Sequence, residues 1–456
     1  MTSVPVDFAF RSVGGRRVSA RFDGGDITSD SGLLLLKRAN DKLMVVESLA
    51  GSIYDVRQTG KVQHDTASLL AQRMFGIACG YEDANDHDTL RSDAALKVAC
   101  GRAPKSGADL ASQPTLSRLE NSVTPKDLRR MMAELARIVV GQLPANCKKI
   151  TLDLDASEDP CHGQQELSLF NKFYDSRCFL PLLLFATGDD NQRRLMGGLL
   201  RHGKAHGTHG IRVVLKGAVR LIRQRFPNAQ IVLRADSGFG CEKTLRCCEC
   251  LGIDFVLGLP KNRRLTVLST AVQMDACLKY NQVGRLVEYG YLKAEERPQC
   301  LEFGEFEYKA GPWKHKYRVV VKAEITQAEL NPRFVVTNRT KMAPDEVYEF
   351  YCARGDAENG IKEFKADLHA DRTSCHRFTA NQFRVLLHTG AAILMQAIRD
   401  AAAATKYAKA QIGTMRLRLL KIGARIVESV RCVWVHMSSS YPDQAAWQTI
   451  YTALRI

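Results

Sequence analysis

Carboxylates stand in this sequence at three places where packing alone does not explain them. One strand-like run carries Asp153 and Asp155, which lie two residues apart and therefore point to the same face of a strand. A second run of core-like residues ends at Asp236, directly before a glycine-containing turn. Glu358 lies farther along the chain, in a stretch with little apolar content. We expect Asp155, Asp236 and Glu358 to converge at one edge of a sheet, with Asp153 in a supporting role.

Three carboxylates without neighbouring histidines or cysteines favour a hard cation. Mg²⁺ and Mn²⁺ prefer oxygen ligands and keep open positions for water, so we predict that Asp155, Asp236 and Glu358 bind one of these metals. Two such ions can activate a water or a 3′-hydroxyl and stabilise the departing oxygen of a phosphodiester. On a chain with a net charge of +16, these acids predict cleavage and transfer of DNA strands with two metal ions.

A second pattern surrounds Glu358. Tyr351, Arg354, Glu358 and Lys365 follow one another at intervals of three, four and seven residues. On a continuous helix these intervals place the four side chains within about 60° of one another. The spacing predicts a single helix with an organised polar face.

The order of elements around the first two acids predicts an α/β fold. The runs at 148–157, 178–186 and 194–204 are typical of strands, 211–227 is typical of a helix, and 230–240 and 252–260 are typical of strands separated by a short helix. Three meandering strands followed by alternating helices and strands indicate a mixed sheet flanked by helices. This is the order of a ribonuclease-H-like core.

The remaining segments suggest how the chain is divided. We predict a mostly helical N-terminal DNA-binding domain at 1–145, the first part of the catalytic core at 146–260, a β-rich insertion at 261–340, the core helix with the third acid at 341–375, and a helical C-terminal region at 376–456. In the insertion, LVEYGYL (286–292) is interpreted as its first strand. The basic segment 409–432 is interpreted as an amphipathic helix that docks on a core or contacts DNA.

Charge and composition restrict the partners. The 456 residues include 65 Lys and Arg against 49 Asp and Glu, which gives a net charge of +16. This excess favours nucleic acid first and an anionic membrane second, although a protein that is merely basic is the plainer alternative. No run is long enough to span a bilayer, and the first residues lack the features of a secretory signal, so we expect a cytoplasmic, nucleoid-associated protein without a membrane partner.

Cysteine and histidine clusters suggest zinc only weakly. CEKTLRCCEC (241–250) lacks a second pair of ligands at the usual spacing, and HGKAHGTHG (202–210) contains glycines that would break a helix aligning its histidines. For the histidine segment, a loop near DNA or the active site is the better interpretation. The acidic segment GYEDANDHDTLRSD (80–93) lacks the glycine and glutamate of a calcium loop and is interpreted as a turn and helix start.

The spacing Tyr351-x₂-Arg354-x₃-Glu358-x₆-Lys365 resembles the Tyr-Arg-Glu-Lys signature of a large group of bacterial insertion-sequence transposases, whose catalytic acids are Asp, Asp and Glu. Similarity to one branch, the thirteen-eighty family of insertion sequences, extends from about residue 10 to past residue 400. The segments that carry it are DLDAS, HGQQELSLFNKFYD, LRADSGFG, GLPKN and GYEDANDHDTLRSD. The resemblance implies a ribonuclease-H-like catalytic domain interrupted by a β-rich insertion, and cut-and-paste DNA transposition.

The resemblance also implies roles for individual residues. Asp155 is implied as the first acid because the group's pattern is Asp-x-Thr/Ser and Ser157 follows it at that spacing, with serine where threonine is usual. Asp236 is implied as the second acid and Glu358 as the third.

The other signature residues have a different implied role. Tyr351, Arg354 and Lys365 hold phosphates near the cut end, which suits a phenol and two cations. The partners implied are double-stranded DNA, at the terminal inverted repeats and the target, and a second copy of the chain in the complex that pairs the ends.

Plainer interpretations exist for each residue alone. A strand-end aspartate usually caps a turn, and Glu358 on a solvated helix would pair with Lys362 four residues on. A non-catalytic, sequence-specific DNA-binding protein derived from a transposase is the alternative function, and a general nuclease without end specificity is a third. The acids favour catalysis because they occur jointly, in the order strand, strand, helix.

Overall fold

The computed structural model describes residues 7–293, 299–326 and 329–455. The chain forms two compact units. The first contains residues 1–127, 363–372 and 390–456, and the second contains residues 128–362 and 373–389. Within the described ranges, none of the helices combines the length and the apolar character needed to cross a bilayer.

The chain up to residue 142 begins with a β-hairpin and is otherwise mainly helical. Its strands are β1 (Phe8–Val13), β2 (Arg16–Ala20) and β3 (Ile27–Thr28). Its α-helices are α1 (Leu34–Leu43), α2 (Val45–Ser52), α3 (Thr66–Cys79), α4 (His87–Leu90), α5 (Ala94–Ala99), α6 (Gln113–Ser122) and α7 (Pro125–Gln142), with 3₁₀-helices at Ser31–Leu33, Thr59–Lys61 and Ala84–Asp86. Capping explains the start of α3, because the Asp65 side chain accepts the Ser68 N–H.

The next segment supplies most of the large sheet. Its strands are β4 (Lys149–Ala156), β5 (Asp159–Pro160), β6 (Leu169–Asn171), β7 (Ser176–Phe179), β8 (Leu182–Thr187), β9 (Arg193–Leu199), β10 (Gln230–Ala235) and β11 (Asp254–Leu259). Its helices are α8 (Ile211–Arg225), the 3₁₀-helix Ser237–Phe239 and α9 (Glu242–Leu251).

The remainder alternates between helices and strands. The helices are α10 (Arg263–Leu268), α11 (Thr270–Glu288), α12 (Pro344–Cys352), α13 (Gly355–Lys362), α14 (Phe378–Ala401), α15 (Ile412–Met415) and α16 (Gln444–Ala453), with π-helices at Glu363–Asp367 and Arg416–Leu420. The strands are β12 (Leu301–Tyr308), β13 (Tyr317–Thr326), β14 (Glu329–Thr337), β15 (Ala424–Glu428) and β16 (Val433–Met437).

The large sheet of the second unit is mixed and has the strand order β12-β13-β14-β11-β10-β4-β8-β9. Strands β4, β10 and β11 are parallel neighbours, and the other pairings are antiparallel. The predicted α/β class is therefore confirmed, with helices between β9 and β10 and between β10 and β11. The strands after residue 300 lengthen the same sheet beyond β11.

Strand β4 has an apolar and a polar face. Ile150, Leu152 and Leu154 alternate with Thr151, Asp153 and Asp155, and all six residues are buried. Strand β10 lies in register with it, so that Arg234 is paired with Asp153. The polar face of β4 therefore continues onto β10.

Helix α12 packs against the sheet through a valine-rich cluster. The cluster consists of Val232, Val256, Val320, Val335, Val347 and Tyr348, with Phe303, Met342, Phe350 and Tyr351 partly buried against it. Burying these apolar side chains stabilises the packing of the helix on the sheet, by about 25 cal/mol for each Å² of apolar surface removed from water. The chain that follows α12, with Arg354 and Glu358, starts from this anchored position.

The predicted single helix for the Tyr351 to Lys365 pattern is wrong. Helix α12 ends at Cys352, a turn follows, and α13 begins at Gly355, where glycine is a poor helix former. Lys365 then lies in the π-helix Glu363–Asp367. Close packing explains the glycine at position 360, because a Cβ there would lie 2.8 Å from Nε of Arg193.

Two further predictions are corrected. The segment 286–292 is not a strand, because α11 continues to Glu288 and ends where Gly290 adopts a positive φ. The C-terminal region is not helical throughout, since β15 and β16 pair with each other and β15 also pairs with β3. The basic segment 409–432 contains the short helix α15, the second π-helix and β15 rather than one amphipathic helix.

Candidate active site

Asp155 lies near the end of β4 and is only 8% exposed. Its Oδ1 accepts the Ala156 backbone N–H at 2.8 Å, and its Oδ2 accepts Nη1–H of Arg354 at 3.1 Å. The same guanidinium donates from Nη2 to Oε1 of Glu358 at 2.8 Å. Arg354 therefore bridges the first and third predicted acids.

Asp236 follows β10, the parallel neighbour of β4. Its side chain caps the 3₁₀-helix Ser237–Phe239, with Oδ1 accepting the Gly238 N–H at 2.9 Å. Gly258 of β11 lies under this turn: a Cβ there would lie 2.6 Å from the Tyr351 hydroxyl and 2.9 Å from the Ser237 nitrogen. Glycine at position 258 thus lets the turn that carries Asp236 pack closely against Tyr351.

The three carboxylates interact electrostatically. The pKa of Asp155 is raised to about 6, mainly by burial, and the Asp236 and Glu358 carboxylates also raise it, whereas Arg354 and the Ala156 N–H lower it. Burial raises the pKa of Tyr351 as well, with Arg354 opposing this and Asp236 adding to it. The structure therefore brings Asp155, Asp236, Glu358, Arg354 and Tyr351 together.

The raised pKa of Asp155 has a consequence for stability. Its folded-state pKa of about 6 exceeds the ordinary value of 3.8, so the fold favours the neutral carboxyl and is penalised when the group ionises above that pH. We expect Asp155→Asn to raise the free energy of unfolding at about pH 8, by at most about 3 kcal/mol, and to have little effect near pH 3, which lies below both pKa values, so that the carboxyl is mostly protonated in the folded and unfolded states. Urea unfolding of the metal-free protein at both pH values measures this.

Asp153→Asn is the matched control on the same strand. It weakens a buried ion pair and should lower stability at about pH 8, which is the opposite sign. A lower unfolding midpoint for Asp155→Asn at the same pH would show that the attraction to Arg354 outweighs the burial of the carboxylate.

Asp153 forms a buried ion pair of its own with Arg234. Its carboxylate is 1% exposed and accepts two hydrogen bonds from Arg234, at 2.6 and 2.9 Å. Arg234 also donates to the Phe350 carbonyl at 2.6 Å, and its guanidinium lies 5.0 Å from the centre of the Phe350 ring. The Asp153–Arg234 pair therefore links strand β4 to strand β10, and Arg234 links both to helix α12.

The predicted phosphate-binding residues do not all lie in one unit. Tyr351 and Arg354 accompany the acids in the second unit, whereas Lys365 is half-buried in the first. Glu358 pairs with Arg354, four residues before it, and not with Lys362. The role of Lys365 stays a prediction.

The donor set suits a hard divalent cation. Asp155, Asp236 and Glu358 supply oxygen ligands only, as Mg²⁺ and Mn²⁺ prefer. The Arg354 guanidinium, itself a cation, lies between Asp155 and Glu358. Over the ranges that the structure describes, no three His, Cys, Asp or Glu side chains are already arranged as a metal site. A metal held by these acids would therefore either share the Asp155 and Glu358 carboxylates with Arg354 or displace it.

Sequence reasoning missed two residues around this site. The pKa of Tyr174 is raised by burial and then by the carboxylates of Glu158, Asp155 and Asp236, so its phenol lies within electrostatic reach of the first two acids. Glu158 in turn accepts a hydrogen bond from Ser176 at the start of β7. Neither residue has a spacing signal, although Tyr174 lies in a segment that carries the family resemblance.

The histidine loop at 202–210 lies beside the turn of the second acid. Buried Arg201 donates to the carbonyls of Leu180, Gly207 and His209 at 2.7, 2.9 and 3.2 Å, which fixes the path of the loop. A Cβ on Gly207 would lie 2.9 Å from the Gly238 carbonyl oxygen. The loop is thus near the candidate active site, as the sequence suggested, and Arg201 orders it.

Comparison with known proteins places the chain in a family. The family model described as transposase DDE domain group 1 matches residues 10–456, which is nearly the whole chain. No curated protein matches the sequence.

Proposed function

Because the chain belongs to the family of transposase DDE domains of group 1, we propose that it is the transposase of a bacterial insertion sequence. It binds the ends of the element, cleaves DNA strands there by Mg²⁺-dependent hydrolysis, and joins the 3′-hydroxyl ends to target DNA. The observation that carries this proposal is the convergence of Asp155, Asp236 and Glu358 around Arg354.

The strand order supports a ribonuclease-H-like core. Three antiparallel neighbours, β9, β8 and β4, are followed across the sheet by β10 and β11, which are parallel to β4. The first two acids then lie at the carboxyl ends of adjacent parallel strands, where open sheets form their functional clefts. The third acid, Glu358, lies on α13, which follows β12, β13 and β14 in the sequence; these three strands extend the sheet beyond β11.

The acids would hold one or two Mg²⁺ or Mn²⁺ ions. When bound, such an ion lowers the pKa of an attacking water or 3′-hydroxyl and stabilises the developing charge on the phosphate. Asp155 must be ionised to act as a ligand, and its raised pKa of about 6 makes metal affinity fall as the pH drops below that value.

Arg354 is proposed to have two successive partners. Without metal it neutralises Asp155 and Glu358 through the ion pairs described above. Once released from a carboxylate, its guanidinium can donate paired hydrogen bonds to the oxygens of the scissile phosphate. Tyr351, whose hydroxyl lies beside the turn of Asp236, and Lys365 are the further proposed phosphate ligands.

The proposed partners follow from charge and family. A net charge of +16 supports binding to double-stranded DNA, both at terminal inverted repeats and at the target. A homodimer that pairs the two ends and membership of the thirteen-eighty branch are further proposals that rest on the resemblance. A cytoplasmic location near the nucleoid and the five-domain division, apart from the helical character of its last region, are proposals that rest on the sequence patterns.

The experiment uses DNA that flanks this reading frame and carries any inverted repeats found there. Purified protein should nick that DNA with Mg²⁺, should not nick it with EDTA, and should join the resulting 3′ ends to a plasmid. Specific binding without nicking would indicate the non-catalytic DNA-binding protein. Cleavage without end specificity or joining would indicate a general nuclease.

A further inference from the structure

In the described part of the chain, no further strand pairs with the N-terminal hairpin formed by β1 and β2. Every residue of both strands is exposed, including Phe10 at 60%. Gly14 and Gly15 adopt positive φ angles at the turn, with open space around both. A two-stranded ribbon is at best marginally stable by itself in water, so such a ribbon commonly gains order from a partner.

The register gives the ribbon two chemically different faces. Phe8 is paired with Ala20 and Phe10 with Val18, which places these side chains on one face. On the opposite face Ala9 is paired with Ser19, with Arg11 and Arg17 two residues away toward the turn and Asp7 and Arg21 two residues away toward the open end. One face therefore carries the two phenylalanines, and the other carries small side chains flanked by arginines and one aspartate.

The arginines of the ribbon differ in their ion pairing. Between the pairs Phe10–Val18 and Val13–Arg16 the register shifts, so that Arg11 and Ser12 lie opposite Arg17 in a β-bulge. In the described ranges Arg11, Arg16 and Arg17 have no ion pair or side-chain hydrogen bond. Arg21, by contrast, pairs with Asp7 at 2.7 Å and lies 3.8 Å from Asp23.

We propose that this hairpin is a DNA-binding ribbon in which Arg11, Arg16 and Arg17 contact the phosphates of duplex DNA. A two-stranded ribbon fits the major groove, and at about 3.3 Å per residue its strands extend over about 20 Å, or about half a turn of duplex. The unpaired arginines complement the phosphates on both sides of that groove. The inference deepens the proposed function and rests on it, because it assigns DNA contact to a part of the chain outside the predicted helices.

The test measures how DNA binding depends on salt. The full chain in EDTA is titrated into a fluorescent duplex, with fluorescence anisotropy as the readout, over a series of salt concentrations. Each phosphate contact contributes about 0.9 to the slope of log affinity against log salt, so the triple variant Arg11→Ala, Arg16→Ala, Arg17→Ala should reduce the slope by about 2 to 3 and weaken binding by at least about tenfold.

Matched variants separate phosphate contact from a general loss of charge or of folding. Arg21→Ala removes a paired cation from the same ribbon and should leave the slope unchanged. Replacing Arg11, Arg16 and Arg17 by lysine keeps the charges and should restore most of the slope. Circular dichroism should show the same unfolding midpoint for all variants, since every residue of β1 and β2 is exposed.

The outcomes separate this inference from the proposed function. A wild-type chain that neither binds nor cleaves DNA overturns both. A chain that cleaves DNA, with an unchanged salt slope in the triple alanine variant, overturns the ribbon alone. If, in addition, Phe8→Ser with Phe10→Ser converts a dimer into a monomer in light scattering, the partner of the ribbon is a second copy of the chain.

Discussion

Replacing Asp155, Asp236 or Glu358 by alanine is expected to abolish strand cleavage while binding to the element's ends persists. Partners that only orient a metal ligand cost about 10- to 100-fold when they are lost, so removal of a ligand itself should reduce the cleavage rate by more than about 100-fold. Cleavage is measured on labelled end DNA with Mg²⁺, and binding is measured on the same DNA with EDTA. The two measurements separate lost chemistry from lost recognition.

Asp356→Ala is the matched control for Glu358→Ala. Asp356 is an exposed carboxylate on the same short helix, two residues earlier and so about 200° around it. Its loss should leave the cleavage rate near that of the unmodified chain. Cleavage at the unmodified rate by Glu358→Ala would remove Glu358 from the catalytic assignment.

Removing Arg234 is expected to have the largest effect on stability. Arg234→Leu leaves the Asp153 carboxylate buried without its main partner and removes the donor to the Phe350 carbonyl. Breaking a buried ion pair in this way typically costs about 3–5 kcal/mol. Urea unfolding should therefore show a strongly lowered free energy of unfolding.

A double variant and a surface pair test this interpretation. Asp153→Leu combined with Arg234→Leu removes both charges and should recover much of the loss, because buried pairs can often be replaced by apolar residues. Arg137→Met disrupts an exposed pair with Glu134 in the same unit and should cost about 1 kcal/mol or less. Equal losses in Arg234→Leu and Arg137→Met would contradict a special role for the buried pair.

The sequence predicts the strands of this site well because their signals are local. The alternation of aliphatic and acidic residues before Asp155, and the core-like run before Asp236, both coincide with strands. Parallel neighbours end at the same edge, so the approach of these two acids follows from the order of elements. That they are catalytic stays a prediction, which the alanine variants test.

The contacts made by the third acid are not visible in the sequence. The residue spacing predicts one helix from Tyr351 to Lys365, but the helix ends at Cys352 and a turn follows. From this turn, Arg354 contacts Asp155 on a strand that is distant in sequence. The partner of Arg354 is 199 residues away, and no local rule selects it. Strand β15 shows the same limit, because it pairs with β3 near the other end of the chain.

The interior position of β4 and β10 affects how the site can open. Each strand is hydrogen-bonded to neighbours on both sides, whereas α13 has eight residues, and helices of that length depend on packing. Amide hydrogens on the two strands should exchange with solvent only through near-global unfolding, while those on α13 exchange through smaller local openings. We therefore expect Asp155 and Asp236 to be held by the slowest-exchanging part of the fold, and Glu358, 53% exposed at its side chain, to be the acid that moves toward an incoming ligand.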